Sequence, residues 1–403
     1  METCTVFPQC GQANFAESCF RVIFRPIRAM GRVSGVPIKK AMMPSAEFSA
    51  EVSKMGLVIG LDAHTKACVY VVKDDGANVV DRGTLPATPA DLAVLAERYP
   101  GATVVVESSG VTEWIYDRLI ELGMAVFPAH PMNIRRIEGK KSDAVDAGFL
   151  VDAYRLGALR PSYVPPKEIR HLRQLARRCA FLTKERTRLK NRVHAILKRK
   201  GVRLMDDTVE DDVPDIFAAK HRERLLAVGD PEIPVLLDLI GAVTEKREDL
   251  DAELLVVADS NEDVRNLMTI PGFGPLAAVC VYAEVGDVSR FPSAESLCAY
   301  FGLVPAESQS GETRVRGHIT RRGPPHVRWI LNQASWQHVR RCPRGSIARA
   351  HKRTARRAGK KRAVTATSRR LTKVCHCLLR ERRRFHDERP RGSLDSALRD
   401  EAA

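Results

Sequence analysis

The sequence lacks the features of several large protein classes. No apolar run approaches the length that crosses a membrane, and residues 1–54 contain arginines and prolines where a signal peptide has an apolar core. The ten cysteines follow no disulfide framework, and Cys375 and Cys377 are too close in sequence to form half of an ordinary zinc site. We therefore expect a cytoplasmic protein with reduced thiols and no membrane partner. Residues 1–54 are expected to be a disordered extension, with Met43 and Met55 as alternative starts.

Positive charge is concentrated in two zones of the chain. The formal net charge is +16. Residues 340–403 contain 21 Lys/Arg against 6 Asp/Glu, and residues 167–203 contain 14 against 2. The remainder is therefore acidic on balance. Two basic zones beside an acidic remainder favour a nucleic-acid partner over a generally basic surface, and they predict association with the nucleoid.

Two predicted strands each end in a carboxylate. An apolar run from Leu57 to Leu61 precedes Asp62, and a second run from Ala102 to Val106 precedes Glu107. Runs of this kind are typical of central strands buried on both faces, and open α/β sheets bind ligands at the carboxyl ends of their strands. Together with a predicted hairpin near Asp74 and intervening helices, they predict an α/β sheet of mixed direction.

Two further carboxylates open a predicted helix that runs to about Leu156. Asp143 and Asp146 are three residues apart and so share one helical face. If they join Asp62 and Glu107, the four like charges raise one another's pKa unless a cation neutralises them. Mg²⁺ prefers carboxylate oxygens, so the four residues form a candidate Mg²⁺ site. The alternative is that they are surface carboxylates on unrelated loops.

The pattern becomes helical after Pro165. Apolar residues recur near heptad spacing from Ile169 to Leu197, with Arg and Lys between them, which predicts a long basic amphipathic helix of the coiled-coil kind. A second apolar stripe lies in the stretch Leu236–Val257. The two helices fit either a dimerisation arm or a hairpin within one chain.

Downstream, two features suggest contact with nucleic-acid phosphates. Gly272 and Gly274 lie in a turn that resembles the second half of a helix-hairpin-helix, in which glycine amides hold phosphate without reading sequence. After a predicted helix from Phe291 to Phe301, a polar, arginine-rich loop contains Ser310 beside a glycine. This serine is either an exposed nucleophile or part of a loop that contacts phosphate and has no catalytic role. The candidate phosphate-binding cations are Arg314, Arg316, Arg321 and Arg322.

The order and separation of these motifs resemble a known family, the DEDD-type insertion-sequence transposases of the one-ten type, also described as bridge-RNA-guided serine recombinases. The resemblance covers roughly Leu57 to Phe385. The matching segments are Gly60–Asp62, Val106–Gly110, Lys141–Ala147, Ile270–Gly274, Phe301–Pro305, Gln309–Gly311, Gly317–Thr320 and Gly323. Pro324 and Pro325 depart from the usual polar pair at this place.

The resemblance implies a RuvC-like, ribonuclease-H-type fold, with Asp62, Glu107, Asp143 and Asp146 as the metal-binding tetrad. It implies a helical transposase domain with Ser310 as the nucleophile and Ser308 as a nearby competitor. It also implies a homo-oligomer, either dimer or tetramer, that uses a structured guide RNA to choose its DNA partners. The domain boundaries expected are 1–54 extension, 55–163 RuvC-like domain, 164–262 coiled-coil region, 263–388 transposase domain and 389–403 tail.

We therefore expect a DNA transposase that forms a phosphoserine intermediate and depends on Mg²⁺. Two alternatives remain at this point. One is a metal-dependent, structure-selective DNA nuclease in which Ser310 is structural. The other is a non-catalytic RNA-binding or DNA-binding protein, which its basic zones would also suit.

Overall fold

The computed structural model describes residues 56–130, 143–202, 215–310 and 313–386, with the backbone alone at 307–310 and 313–316. The predicted extension at 1–54 and the tail at 389–403 lie outside these residues. The chain divides into two compact units, Met1–Val164 and Pro165–Ala403. Among the described residues, no helix combines the length and the apolar character that a membrane crossing requires.

The first unit is built on a five-stranded sheet with three helices. Its elements are β1 (Val58–Ala63), β2 (Ala67–Lys73), β3 (Val79–Pro86), α1 (Pro89–Arg98), β4 (Thr103–Glu107), α2 (Thr112–Glu121), β5 (Ala125–Ala129) and α3 (Asp143–Arg155). The strands lie in the order β3-β2-β1-β4-β5. The β1–β2 and β2–β3 pairs are antiparallel, whereas the β1–β4 and β4–β5 pairs are parallel. The predicted α/β sheet of mixed direction is confirmed.

The central strands are buried on both faces, as their apolar runs predict. On one face Ile59 and Val104 pack in a core that includes residues of α1 and α2. On the other face Val58 and Val105 pack with Leu150 of α3. Burial of each such side chain contributes about 1.5–3 kcal/mol, so β1 and β4 form a rigid base for the residues at their ends.

The second unit is mainly helical. Its elements are α4 (Lys167–Arg199), α5 (Arg222–Leu226), α6 (Glu232–Ser260), α7 (Glu262–Met268), α8 (Pro275–Val285), α9 (Ala294–Tyr300), β6 (Pro305–Ser310), β7 (Thr313–Ile319), α10 (Pro325–Arg341), α11 (Ser346–Ala358) and α12 (Lys360–Glu381), with single 3-10 turns at Ala219–His221 and Val288–Arg290.

The two long helices of this unit, α4 and α6, pack against each other within the chain. Ile196 near the end of α4 shares a core with Ile233 near the start of α6. Leu175 near the start of α4 shares another with Leu254 near the end of α6. The helices therefore run antiparallel as an intramolecular hairpin, and their use as a dimerisation arm stays a prediction.

The basic zone that begins at Arg340 is largely folded. It includes α11 and α12, and Leu371 and Cys375 of α12 are fully buried in the core that surrounds α8. The charged residues of α11 point away from this core, because its buried residues are Ile347, Ala348, Ala350 and His351. The positive charge of this zone is therefore carried by helices that pack against the core.

Two sequence-based expectations for this unit are wrong in detail. The helix predicted from Phe291 begins only at Ala294, because Pro292 disfavours helical backbone at Phe291 and the Ser293 side chain caps the helix by accepting from the Ser296 amide. The polar stretch predicted as a loop forms a β-hairpin, β6–β7, with Ser310 paired to Thr313.

Candidate functional site

Asp62 and Glu107 lie side by side at the carboxyl ends of two parallel strands. The parallel register pairs Leu61 with Val106, so the next residue on each strand is one of the two acids. Side chains alternate along a strand, and Asp62 and Glu107 therefore share the face of Val58 and Val105, which is covered by α3. Both acids are half-buried.

A close approach between β1 and α3 brings the remaining two acids to this face. A Cβ atom on Gly60 would lie 1.9 Å from the Ala147 carbonyl oxygen, so only glycine permits the observed packing. Asp143, Asp146 and Ala147 occupy one face of α3 because they are spaced by three and four residues. The contact at Gly60 therefore holds the first turn of α3 over the end of β1.

His64 joins this cluster from the turn between β1 and β2. Its Nε2 atom lies 3.4 Å from Asp62 Oδ2 and 3.6 Å from Asp143 Oδ2. One ligand atom from each of these three residues lies within 4.8 Å of the other two. The cluster therefore presents two carboxylates and one imidazole toward a common point.

Among the described residues, the groups around Asp62 balance its negative charge incompletely. Burial is the largest influence and raises the pKa of this carboxyl above its ordinary value. His64 lowers that pKa by less than burial raises it, and the charges of Asp143 and Asp146 raise it further. A group of oxygen donors with an excess of negative charge suits a divalent cation. The donor set thus fits the metal site that the sequence predicts, with Asp62, Asp143 and Asp146 interacting and Glu107 adjacent by register.

Sequence reasoning missed His64. The residue stands two positions after Asp62, but a single histidine beyond a strand end carries little information by itself. Only its place opposite Asp143, 79 positions along the chain, indicates a functional role.

Ser310 lies in the second unit, on the hairpin. It is the last residue of β6, and its register partner is Thr313 of β7. The same register pairs Gln309 with Arg314 and Glu307 with Arg316. The two arginines therefore lie on the strand that pairs with the strand of Ser310.

The base of the hairpin is held by backbone contacts. Added Cβ atoms at Gly302 and Gly323, both with positive φ, would lie 2.1 Å from the Arg322 carbonyl oxygen and 2.0 Å from the Tyr300 carbonyl oxygen. The Arg328 guanidinium of α10 donates to the carbonyl oxygens of Phe301, Arg322 and Gly323 at 3.0–3.1 Å. Arg321 and Arg322 are exposed beside these contacts.

The two glycines of the predicted phosphate turn differ in surroundings. Gly272 has φ +96°, and an added Cβ would lie 2.6 Å from the His338 amide nitrogen of α10, so packing accounts for this glycine. Gly274 is exposed, caps α8 and has no atom within 4 Å of an added Cβ. A role for either in phosphate binding stays a prediction.

A second group of charges, which the sequence did not reveal, lies within the helical unit. Glu284 of α8 is almost fully buried and accepts hydrogen bonds at 2.8 Å from Arg177 of α4 and from His326 of α10. Arg173 donates to the carbonyl oxygens of Ala283 and Glu284. Burial by itself raises the pKa of Glu284, but the His326 hydrogen bond and the two arginine charges outweigh it and lower the pKa to about 2.

Family models match both units. Residues 59–201 match a DEDD transposase model of the IS110 type, described as Transposase, and residues 264–358 match the model described as Transposase IS116/IS110/IS902 family. The transposase for insertion sequence element IS1111A of Coxiella burnetii is 28% identical over 260 residues, which cover 62% of this chain and 68% of the relative. A probable family 20 transposase of Pseudomonas aeruginosa is 27% identical over 307 residues, which cover 72% and 87%.

Among solved structures, Thermus thermophilus RuvC aligns with 26% of this chain and 99% of its own. The sequence identity is 14% and the TM-score is 0.22.

Proposed function

Because the chain is a transposase of the IS110/IS116 family, an enzyme of DNA strand transfer, we propose that it cuts, exchanges and rejoins DNA at the ends of an insertion sequence. The observation that carries this proposal is the convergence of Asp62, Asp143 and Asp146 beside Glu107 at the rim of the sheet. We propose that these four residues hold Mg²⁺, which when bound stabilises charge on phosphoryl oxygens and on the leaving group.

Ser310 is proposed as the nucleophile. Its Oγ attacks a backbone phosphorus, the bond from phosphorus to the deoxyribose oxygen breaks, and that oxygen takes up a proton. The cut strand is then held as a phosphoserine ester. Attack on this ester by a DNA hydroxyl restores a phosphodiester and frees the serine, so rejoining needs no ATP.

The position of Ser310 on the hairpin supports this assignment. It ends β6 at the connection to β7, on a hairpin whose base is fixed by Arg328 and two close backbone contacts. Arg314 and Arg316 on β7 and Arg321 and Arg322 at its base are proposed to orient the DNA backbone, because guanidinium groups bind phosphate in a bidentate manner.

We propose a structured guide RNA and a second copy of the chain as partners. The exposed arginines of α11, including Arg353 and Arg356, suit recognition of a nucleic-acid backbone and helical shape, which is what a protein needs when an RNA chooses the sequence. Exposed apolar residues on α6, among them Val235 and Val256, suit contact with another protein surface.

A covalent trap tests the proposed chemistry. The protein is incubated with element-end DNA that carries a nick, so that the released fragment diffuses away and rejoining fails. We expect a denaturation-resistant protein–DNA adduct whose phosphopeptide contains Ser310. Ser310→Ala should abolish the adduct, whereas the matched variant Ser308→Ala should retain it.

Other outcomes of the trap distinguish the alternatives. Cut DNA without an adduct would indicate a hydrolytic nuclease, and an adduct lost in Ser308→Ala but kept in Ser310→Ala would assign the attack to Ser308. Binding without cutting, with function unaffected by Asp62→Asn, would indicate a non-catalytic nucleic-acid-binding protein.

A further inference from the structure

The main chain of His64 is fixed in a turn, while its side chain is largely exposed. Its amide donates to the Ala67 carbonyl oxygen at 3.0 Å, which closes the turn between β1 and β2. The side chain is 56% exposed, so burial contributes little to its position. Its Nε2 atom nevertheless lies between two carboxylates that come from different elements, β1 and α3.

We propose that His64 is a nitrogen ligand of the divalent cation, together with Asp62 and Asp143. The inference rests on the proposed metal site and adds a donor that the four-carboxylate pattern does not include. Bonds of about 2.1 Å in octahedral geometry place ligand atoms about 3.0 Å apart in cis and about 4.2 Å in trans. The separations in this structure, all within 4.8 Å, require only small side-chain adjustments.

An imidazole ligand changes which metal the site favours. Mg²⁺ prefers oxygen donors and retains its water, whereas Mn²⁺, which also binds carboxylates, accepts an imidazole nitrogen more readily than Mg²⁺ does. We therefore infer that the site binds Mn²⁺ more tightly than Mg²⁺ and that His64 causes this preference.

The test uses the full chain and Mn²⁺ itself as the probe. Calorimetric titration gives the affinities for Mn²⁺ and Mg²⁺, and pulsed electron paramagnetic resonance detects ¹⁴N bound to Mn²⁺. We expect His64→Asn to weaken Mn²⁺ binding by at least about tenfold, to affect Mg²⁺ less, and to remove the ¹⁴N signal. The His171→Asn variant is the matched control, because His171 is 54% exposed and faces a single carboxylate of Glu253 at 3.3 Å.

The Asp62→Asn variant separates the two proposals. If it binds Mn²⁺ as well as the unmodified chain does, the metal site itself is wrong. If it loses Mn²⁺ but His64→Asn matches His171→Asn in affinity and ¹⁴N signal, the metal site stands and the ligand role of His64 is overturned.

Discussion

The pKa of a carboxyl group withdrawn from solvent is shifted in opposite directions in the two units. In the first unit burial raises the pKa of Asp62, Asp143 and Asp146 raise it further, and among the described residues His64 is the group that lowers it. In the second unit Glu284 is surrounded by two arginines and a histidine, and its pKa falls to about 2. Protein groups satisfy the charge of Glu284, whereas the described residues around Asp62 leave its carboxyl with a raised pKa, which suits the cation proposed above. Among the described residues, the candidate active site therefore differs from the Glu284 ion cluster in its larger share of like charge.

The largest expected effect is the loss of recombination when a tetrad carboxylate is neutralised. Asp62→Asn, Glu107→Gln, Asp143→Asn and Asp146→Asn remove charge but little volume. Each should abolish strand transfer while thermal stability holds or rises slightly, because repulsion falls. A recombination assay beside a thermal melt measures both quantities. Full recombination activity in Asp62→Asn or Glu107→Gln would contradict the metal-site proposal.

Neutralising Glu284 should have the reverse outcome, a loss of stability. Glu284→Gln leaves the Arg173 guanidinium buried without its carboxylate, which costs about 3 kcal/mol of unfolding free energy. Chemical unfolding measures the change. The control Glu253→Gln disrupts an exposed pair with His171 and should cost less than about 1 kcal/mol. Equal losses of unfolding free energy in the two variants would show that Glu284 is not a structural ion cluster of the kind described.

The same contrast predicts opposite pH dependences. The folded-state pKa of Glu284 is depressed from 4.5 to about 2, so its stabilising contribution is complete above pH 4.5 and is lost as the pH falls toward 2. The folded-state pKa of Asp62 is raised, so its unfavourable contribution at neutral pH disappears on acidification. Unfolding free energies from pH 6 to about pH 2.5 should therefore converge for Glu284→Gln and the unmodified chain. A difference in unfolding free energy that stays constant across this pH range would contradict the depressed pKa of Glu284.

A smaller effect is expected when the distance between β1 and α3 is changed. Gly60→Ala forces α3 away from the strand, because the new methyl group overlaps the Ala147 carbonyl oxygen. We expect a cost of about 1–3 kcal/mol and weaker Mn²⁺ binding in a titration. Gly148→Ala lies on α3 itself, where an added Cβ meets only Val71 Cγ1 at 4.0 Å. This control should be neutral or stabilising by up to about 1 kcal/mol. Unchanged Mn²⁺ affinity in Gly60→Ala would show that the close approach of β1 and α3 does not position the carboxylates of the site.

The smallest effect concerns the basic face of α11. Truncation within α11 would remove α12 and open the core, so single charges are the better probe. Replacing Arg353 and Arg356 by Gln should flatten the log–log salt dependence of nucleic-acid binding by about 0.7–0.9 for each phosphate that the protein no longer neutralises. A filter-binding titration measures this slope. Arg224→Gln, on exposed α5 outside the two basic zones, should leave it unchanged, and equal slopes for all three proteins would exclude the α11 face.

The sheet and its acids were predictable because their signals are local. Apolar runs ending in Asp62 and Glu107 define central strands, and the spacing of Asp143 and Asp146 defines one helical face. The hairpin was missed because Glu307–Thr313 has no apolar alternation. The contacts of Gly302, Gly323 and Arg328 at its base involve main-chain atoms, which leave no pattern in the sequence.

The Glu284 group was also beyond sequence reasoning. Its partners lie 107 and 42 positions away, at Arg177 and His326, and each looks like an ordinary charged residue of a basic helix or turn. Long-range ion pairs of this kind have no periodicity to detect, so only the packed helices reveal them.

The contacts at the base of the hairpin attach it through main-chain atoms. Arg328 binds main-chain carbonyl oxygens, and Gly302 and Gly323 touch main-chain atoms, so none of these contacts uses a side chain between Glu307 and Arg316. These contacts therefore do not depend on which side chains the two strands carry. Substituting Gln309, Arg314 or Arg316 should leave these contacts in place, so weaker DNA binding by such a variant would report on the proposed phosphate contacts and not on detachment of the hairpin.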